Sequence, residues 1–589
     1  MSKRTQLEHF PNLVAMFLAR VAEKGDAPFL WAKRDGQWRP ISYNEAARQV
    51  AALSDSLLRL GLKAGDRVML VSENRPEWLI ADLAIMAAGC VTVPTYTTNT
   101  ERDHTHILGN SGAKVAIVST QKLARTLIPA VLFSSDCHDV IGMEDLRTGQ
   151  AMEGARFHHW DELVSGGADQ APMRQRVAGL RREDLACLIY TSGTGGAPRG
   201  VRQHHGAILH NVAACTDVIA NDFTWDDEIF LSFLPASHAY EHSGGQFFPV
   251  GLGAQIYYAE SLEKLAANIE EVRPTLMVVV PRLFEMLRAR ILKAIEKSGG
   301  LSQRLLTRAL EIGAERYERG SIPLGHKPMD LLLGLTVRKK VAKRFGGRIK
   351  AMVSGGAPLN PEVGLFFHSL GLIVLQGYGQ TESGPVISCN RPKNGIRMDT
   401  VGPPLLNTDV KIADDGEILV RGELVMHGYW RNAEETARVL RDGWLHTGDV
   451  GHFDAAGRIV ITDRKKDLIV NDKGDNVSPQ RVEGMLTLQP EIAQAMVAGD
   501  RRPHLVALLV PEPELVQSLG GDEAAVRAAL GKAVDQVNAE LSVIEKVRRF
   551  CLADEAFSVE NEQLTPSMKI RRHVIRGRYG ERLDALYGK

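Results

Sequence analysis

The sequence predicts an α/β protein: a large N-terminal domain of layered α/β subdomains plus a β-subdomain, then a small α+β C-terminal domain. Three observations lead there. Short apolar strands alternate with helical patterns over about the first 460 residues, as expected for helices laid on largely parallel sheets. After Asp409 the texture shifts to short strands punctuated by DDG, DG and AAG turns, which suggests a small antiparallel unit. Beyond Asp463–Asp467, strands and helices mix again in a body of about 125 residues. The expected domain limits are therefore 1–463 and 464–589.

The elements follow in chain order. Leu13, Phe17 and Val21 recur at i, i+4 and i+8. That spacing marks a packed amphipathic helix, and Glu8 argues against a signal peptide. Ser42–Leu60 reads as a helix, Arg67–Ser72 as a buried strand, Pro76–Ala88 as a helix and Val91–Pro94 as a strand. Ala113–Ser119, Ala186–Tyr190 and Leu276–Val280 continue the strand theme. A long charged helical stretch from Leu283 to Arg344 interrupts the rhythm and reads as a solvated face. In the last body, Val482–Leu488, His504–Val510 and a helix over Glu523–Val547 complete the α+β unit.

Composition narrows the function classes. The 589 residues carry 71 Lys+Arg against 71 Asp+Glu, so the electrostatic footprint of a nucleic-acid binder is missing. Six scattered cysteines without a CxxC pair speak against a disulfide framework or zinc site and for a reducing, cytoplasmic setting. The most apolar run, Trp78–Val93, is broken by Asp82 and is shorter than the roughly 20 residues of a spanning helix. No integral membrane segment is expected.

Chemistry concentrates in six segments. In Leu188–Val201 (LIYTSGTGGAPRGV) an apolar strand runs into Thr191, Ser192, Gly193, Thr194 and Gly195, with Arg199 closing the loop. Glycines admit backbone N–H groups close to an anion and hydroxyls add donors, so a polyphosphate suits it. The GxxxxGK[ST] pattern is absent. SGGAPLN offers Gly355, Gly356 and Ala357 for flat approach to a base. GYGQTE supplies Gly377, Tyr378, Gly379, Thr381 and the carboxylate of Glu382. Asp449 sits in a TGD turn and could accept two hydrogen bonds from a diol; alone, an Asp there is more often a turn device. DRKKDLIV brings Arg464 and Lys466, and LTPSMKIRR presents Lys569 beside Pro566. His238 and His242 stand at i, i+4, but the Glu of HExxH is missing, so zinc is disfavoured. His204, His205, His158 and His159 read as surface or packing residues.

The order and spacing of these segments resemble the adenylate-forming (AMP-binding) superfamily, from about residue 40 to the end. LPASHAYEH (Leu234–His242), RPTLMVVVPRLFE (Arg273–Glu285), LTPSMKIRR and the helical insertion look most like its long-chain fatty acyl-CoA synthetase branch. The resemblance implies a fatty acid, ATP and CoA as substrates, with Mg²⁺ as cofactor. It implies an acyl-adenylate formed with release of pyrophosphate, then a thioester formed with release of AMP. By the same resemblance Lys569, Thr194, Glu382 and His238 serve catalysis, with Glu382 on the metal and His238 on the acyl pocket wall. Tyr378 packs on adenine, Asp449 and Arg464 hold the ribose, Lys466 is the hinge of a mobile C-terminal domain, and the Gly474 loop faces the pantetheine channel. Two departures stand out: Gly195 replaces a Thr and Arg199 a Lys, a swap that keeps charge but changes shape. The resemblance leaves room for a homodimer and for peripheral contact with the inner membrane surface. Two alternatives stay open: an acyl-AMP ligase loading a carrier protein, and a ligand-binding pseudoenzyme.

Overall fold

The computed structural model describes residues 9–146, 154–165, 169–191, 198–465, 467–473, 475–565 and 569–588. Two large sheets build the N-terminal body. The first has seven strands, in the order Arg156–His159, Asp139–Gly142, Ala113–Val118, Arg67–Val71, Val91–Thr95, Leu185–Thr191 and Arg199–His204. All neighbours are parallel except the last pair, an antiparallel hairpin that sets Thr191 opposite Arg199. The second has eight strands, and its centre runs parallel through Gln255–Tyr258, Ile229–Ser232, Leu276–Val279, Ala351–Ser354 and Val374–Gly379.

Apolar residues of both sheets and of the helices between them form one continuous core. The helix Pro76–Ala87 shows why. Pro76 opens its first turn, Glu77 favours the N-terminal dipole, and all twelve residues are buried. A helix apolar on every side belongs between layers. Its one interior acid, Asp82, is fully buried and bonded at 2.9 Å to Nε2 of His242, equally buried. That bond ties the helix to the π-turn His242–Phe247. The helix expected from Ser42 runs Tyr43–Arg59, with the Ser42 hydroxyl capping Glu45 N–H at 3.1 Å, since a serine satisfies the unpaired donors of a first turn.

An antiparallel five-stranded unit follows, centred on Trp444–Phe453, with Glu417–Arg421 on one side and Ile459–Arg464 on the other. The C-terminal body has a three-stranded sheet, Ile492–Ala498, Leu505–Pro511 and Val547–Leu552, packed by the helices Pro479–Leu486, Glu523–Glu540 and Arg572–Ala585. The helix expected over Glu523–Val547 ends seven residues early. Ser542 donates from both N–H and hydroxyl to Glu545, and this local turn competes with further helix. Val547 then opens a strand.

The stretch read as a charged helical face is an insertion of helices Pro281–Lys297 and Gly300–Arg319, then Lys327–Leu333, Gly334–Arg338 and Lys339–Arg344 run end to end. Among the described residues, no helix is long and apolar enough to cross a membrane.

Candidate active site

The hairpin Leu185–Thr191/Arg199–His204 brackets the Gly/hydroxyl loop. Ser192, Gly193, Thr194 and Gly195 lie outside the described residues. Arg199 does not reach the cleft as an unattended charge. Its guanidinium pairs with the carboxylate of Glu435 and lies 4.7 Å from the centre of the Tyr429 ring. Tyr429 in turn donates its hydroxyl to Glu382 Oε1 at 2.8 Å. A planar guanidinium can stack and form an ion pair at once, which an ammonium does less well. Burial first, then the Glu382 charge, pushes the Tyr429 phenol well above its ordinary range, so it stays a donor. Thr381 begins the short 3₁₀ turn that carries Glu382, and its carbonyl accepts from the Gln203 side chain.

A second group sits where the large sheet meets the antiparallel unit. Tyr378, on the strand Val374–Gly379, donates to Asp449 Oδ2 at 2.7 Å; Arg464 Nε donates to Oδ1 at 2.9 Å. Asp449 and Arg464 are also cross-strand partners. The carboxylate is buried and held from two sides. Two glycines here are required by space. A Cβ on Gly379 would lie 1.8 Å from the Pro385 carbonyl oxygen, and one on Gly355 would lie 2.7 Å from the Tyr240 ring. Gly355 is buried beneath that ring, while Gly356 and Ala357 are exposed. Gly377 follows Gln376 on the same strand as Tyr378.

Lys569 brings the C-terminal body into this group. It sits in a tight turn, its N–H bonded to the Thr565 hydroxyl at 3.0 Å and its carbonyl accepting from Thr565 N–H at 2.8 Å. Its side chain keeps accessible surface while densely surrounded by protein, as expected for a group lining a cleft. Desolvation first, then Arg464, pulls its ammonium down to about 8, against the opposing charges of Asp449, Glu382 and Asp467. The same lysine and, more strongly, desolvation push His238 down to about 4. His238 is therefore neutral near pH 7. Its Nδ1 accepts from Tyr240 N–H at 3.2 Å, which leaves the ring proton on Nε2. The cleft thus offers an ammonium, a neutral imidazole donor, a metal-competent carboxylate and a buried carboxylate clamp.

Lys569, Glu382, His238, Tyr378, Asp449 and Arg464 converge. Among the described residues, Arg199 joins them through Tyr429. His242 turns away to Asp82, so the two histidines share no ligand. Lys466 and Gly474 lie outside the described residues. Tyr429 and Glu435 were missed, as was a bidentate pair between Arg572 and Glu483, at 2.7 and 2.5 Å. That pair joins the Lys569 segment to the Gly474–Glu483 segment. Its signal in the sequence is a charged residue in each of two segments, Arg572 in LTPSMKIRR and Glu483 in GDNVSPQRVE.

Residues 17–430 match the AMP-binding enzyme family and residues 466–589 the AMP-binding enzyme C-terminal domain. The chain belongs to the AMP-binding enzyme family. Its similarity to curated AMP-binding enzymes spans nearly the whole chain and falls in the long-chain acyl-CoA synthetase branch. It is 33% identical to the long-chain-fatty-acid–CoA ligase FadD15 of Mycobacterium tuberculosis, over 98% of this chain and 97% of that one. It is 30% identical to the peroxisomal long chain acyl-CoA synthetase 6 of Arabidopsis thaliana, over 94% and 82%. Among solved AMP-binding structures, the adenylation domain of a carboxylate reductase from Mycobacterium chelonae matches with a TM-score of 0.76 at 22% identity, covering 99% of this chain and 92% of that one. The o-succinylbenzoate CoA synthetase MenE of Bacillus subtilis, solved with ATP and magnesium ion, matches at 0.68 and 20%, covering 96% and 99%. At such identities these structures speak for the fold.

Proposed function

We propose that the protein is an AMP-forming long-chain fatty acid–CoA ligase. The observation that carries the reading is the convergence of Lys569 from the C-terminal body with Asp449, Glu382 and His238 from the N-terminal body, and with Arg464 at the boundary between them. ATP binds with its adenine on Tyr378 and along Gly355, Gly356 and Ala357, its ribose on Asp449 and Arg464, and its phosphates on Thr191–Gly195 and Thr381. The fatty carboxylate oxygen attacks the α-phosphorus as the bond to pyrophosphate breaks, giving acyl-adenylate. Lys569 stabilises the negative charge that grows on the α-phosphoryl oxygens, and Nε2–H of His238 orients the carboxylate.

Glu382 would hold Mg²⁺. A single hard oxygen ligand fits an ion that keeps most of its shell as water and phosphate oxygens, and the Tyr429 hydroxyl fixes that carboxylate without consuming its second oxygen. Bound there, the ion would neutralise phosphate charge. In the second step the CoA thiol attacks the acyl carbonyl and AMP leaves. For this the C-terminal body, 464–589, turns about Lys466 against 1–463 and brings the Gly474 loop to the pantetheine path. The relatives' ligase names support CoA over a carrier protein as acceptor.

The half-reactions test this. Lys569→Ala should abolish carboxylate-dependent pyrophosphate exchange yet still convert supplied acyl-AMP and CoA to acyl-CoA; equal loss of both sinks the two-step scheme. AMP release across carboxylates from short to very long chains, with and without CoA, defines the acyl range. The proposal extends to a cytoplasmic protein that meets the inner membrane surface peripherally, and to a homodimer, which sedimentation decides.

A further inference from the structure

The helical insertion between the strands Leu276–Val279 and Ala351–Ser354 has no part in the chemistry above. Residues 281–350 hold 17 Lys+Arg against 6 Asp+Glu, in a chain whose total is balanced. Most of the chain's exposed large aliphatic side chains in this region fall on its last helix, 327–344, and the turn before it. That helix has two faces. Inward, Leu333 and Val341 are buried, and Asp330 pairs with Arg316 and Arg338. Outward, Leu331, Leu332 and Leu335 are 68%, 47% and 64% exposed, beside Leu324 at 79% and Met329 at 38%. The same outward row continues at helical spacing into the exposed Lys339 and Lys343, with Lys340 and Arg344 alongside.

We propose that helix 327–344 is a docking face for an anionic lipid bilayer. Leucines held in water at such exposure call for an apolar partner. The adjoining run of four cations, with the helix's single acid already turned inward, calls for a negative one. An anionic bilayer supplies both at the right depths: acyl chains for the leucines and headgroup phosphates for the lysines. Lying flat, 18 residues present about 27 Å of helix to the surface. The biological sense rests on the proposed function, because a long-chain acid partitions into bilayers and would be met there.

Flotation of the full chain with phosphatidylcholine vesicles, with and without phosphatidylglycerol, tests the surface without turnover. The protein should float with the phosphatidylglycerol vesicles and release them as salt rises. A Leu331→Ser, Leu332→Ser, Leu335→Ser variant and a separate Lys339→Glu, Lys340→Glu, Lys343→Glu variant should each lose at least about tenfold in vesicle affinity. Both should keep the wild-type melting temperature and wild-type turnover of a soluble medium-chain acid without vesicles. Absence of wild-type binding, equal binding to neutral vesicles, or wild-type binding by both variants overturns the proposal. So does a leucine variant that only reduces the sedimentation coefficient, which would give the face to a second copy of the chain. If no acid is turned over but vesicles are bound, the functional reading fails and the surface stands.

Discussion

Raising the pH from 7 to 9 should slow acyl-adenylate formation through a single group. The Lys569 ammonium, desolvated in the cleft and crowded by Arg464, titrates at about 8. Its folded value lies below the ordinary 10.5, so charge is lost as pH rises through about 8, well before an exposed lysine would lose it. At pH 7 roughly nine-tenths of the chains carry the charge, and at pH 9 roughly one-tenth. If only the charged form stabilises the α-phosphoryl oxygens, kcat/KM for ATP in pyrophosphate exchange falls about tenfold over that interval, because it reports the free enzyme. Bound polyphosphate favours the ammonium, so kcat should bend at a higher pH. His238, already neutral above about 4, contributes no inflection in this range. Lys569→Arg keeps its charge throughout, and its profile should be level near 8 whatever its absolute rate. A level wild-type profile, or an arginine variant that bends at the same pH, would refute the reasoning.

Three further outcomes follow from single contacts. Tyr429→Phe removes the 2.8 Å donor to Glu382 but keeps the ring under Arg199; a hydrogen bond to a charged group of about 1.5 kcal/mol should raise the KM for magnesium–ATP roughly tenfold, and an unchanged magnesium titration would dismiss the link. Asp82→Ala strips the fully buried His242 of its bond, costing about 2 kcal/mol in chemical denaturation, with Asp82→Asn recovering much of it. Arg572→Ala leaves the buried Glu483 carboxylate unpaired, at about 3–5 kcal/mol on the C-terminal body; wild-type melting would show that the pair carries no such load.

The layers of the fold were legible because strands such as Arg67–Val71 and Leu276–Val279 are apolar runs too short for anything else, and Pro76–Ala87 is apolar all round. Lys569 and Glu382 could be named as candidates because the order of the motifs around them resembles a known family; as single residues, each reads as an ordinary surface charge. Tyr429 was not legible. Its bond to Glu382 spans 47 residues and exists only because two loops of different sheets meet. The outward leucines of 331–335 escaped for the opposite reason. They stand with the buried Leu333 in one apolar run, LLLGLTV, and only the helix shows which side each residue takes. The overlong helix before Val547 reflects the Ser542–Glu545 turn, a local bond that hydrophobic periodicity does not register.

Arg464 has one more consequence, for anyone recombining these enzymes. It closes a strand, pairs across to Asp449 and clamps that carboxylate with its own side chain, just ahead of the matched C-terminal domain at 466. A transplant that begins after residue 465 imports a new C-terminal unit and leaves the native clamp whole. A junction placed upstream of 464 replaces the strand end with a foreign one and puts the Asp449 contact at the mercy of the donor sequence. The seam at which relatives can exchange their small domains without disturbing the Asp449 contact is thus set by one side chain.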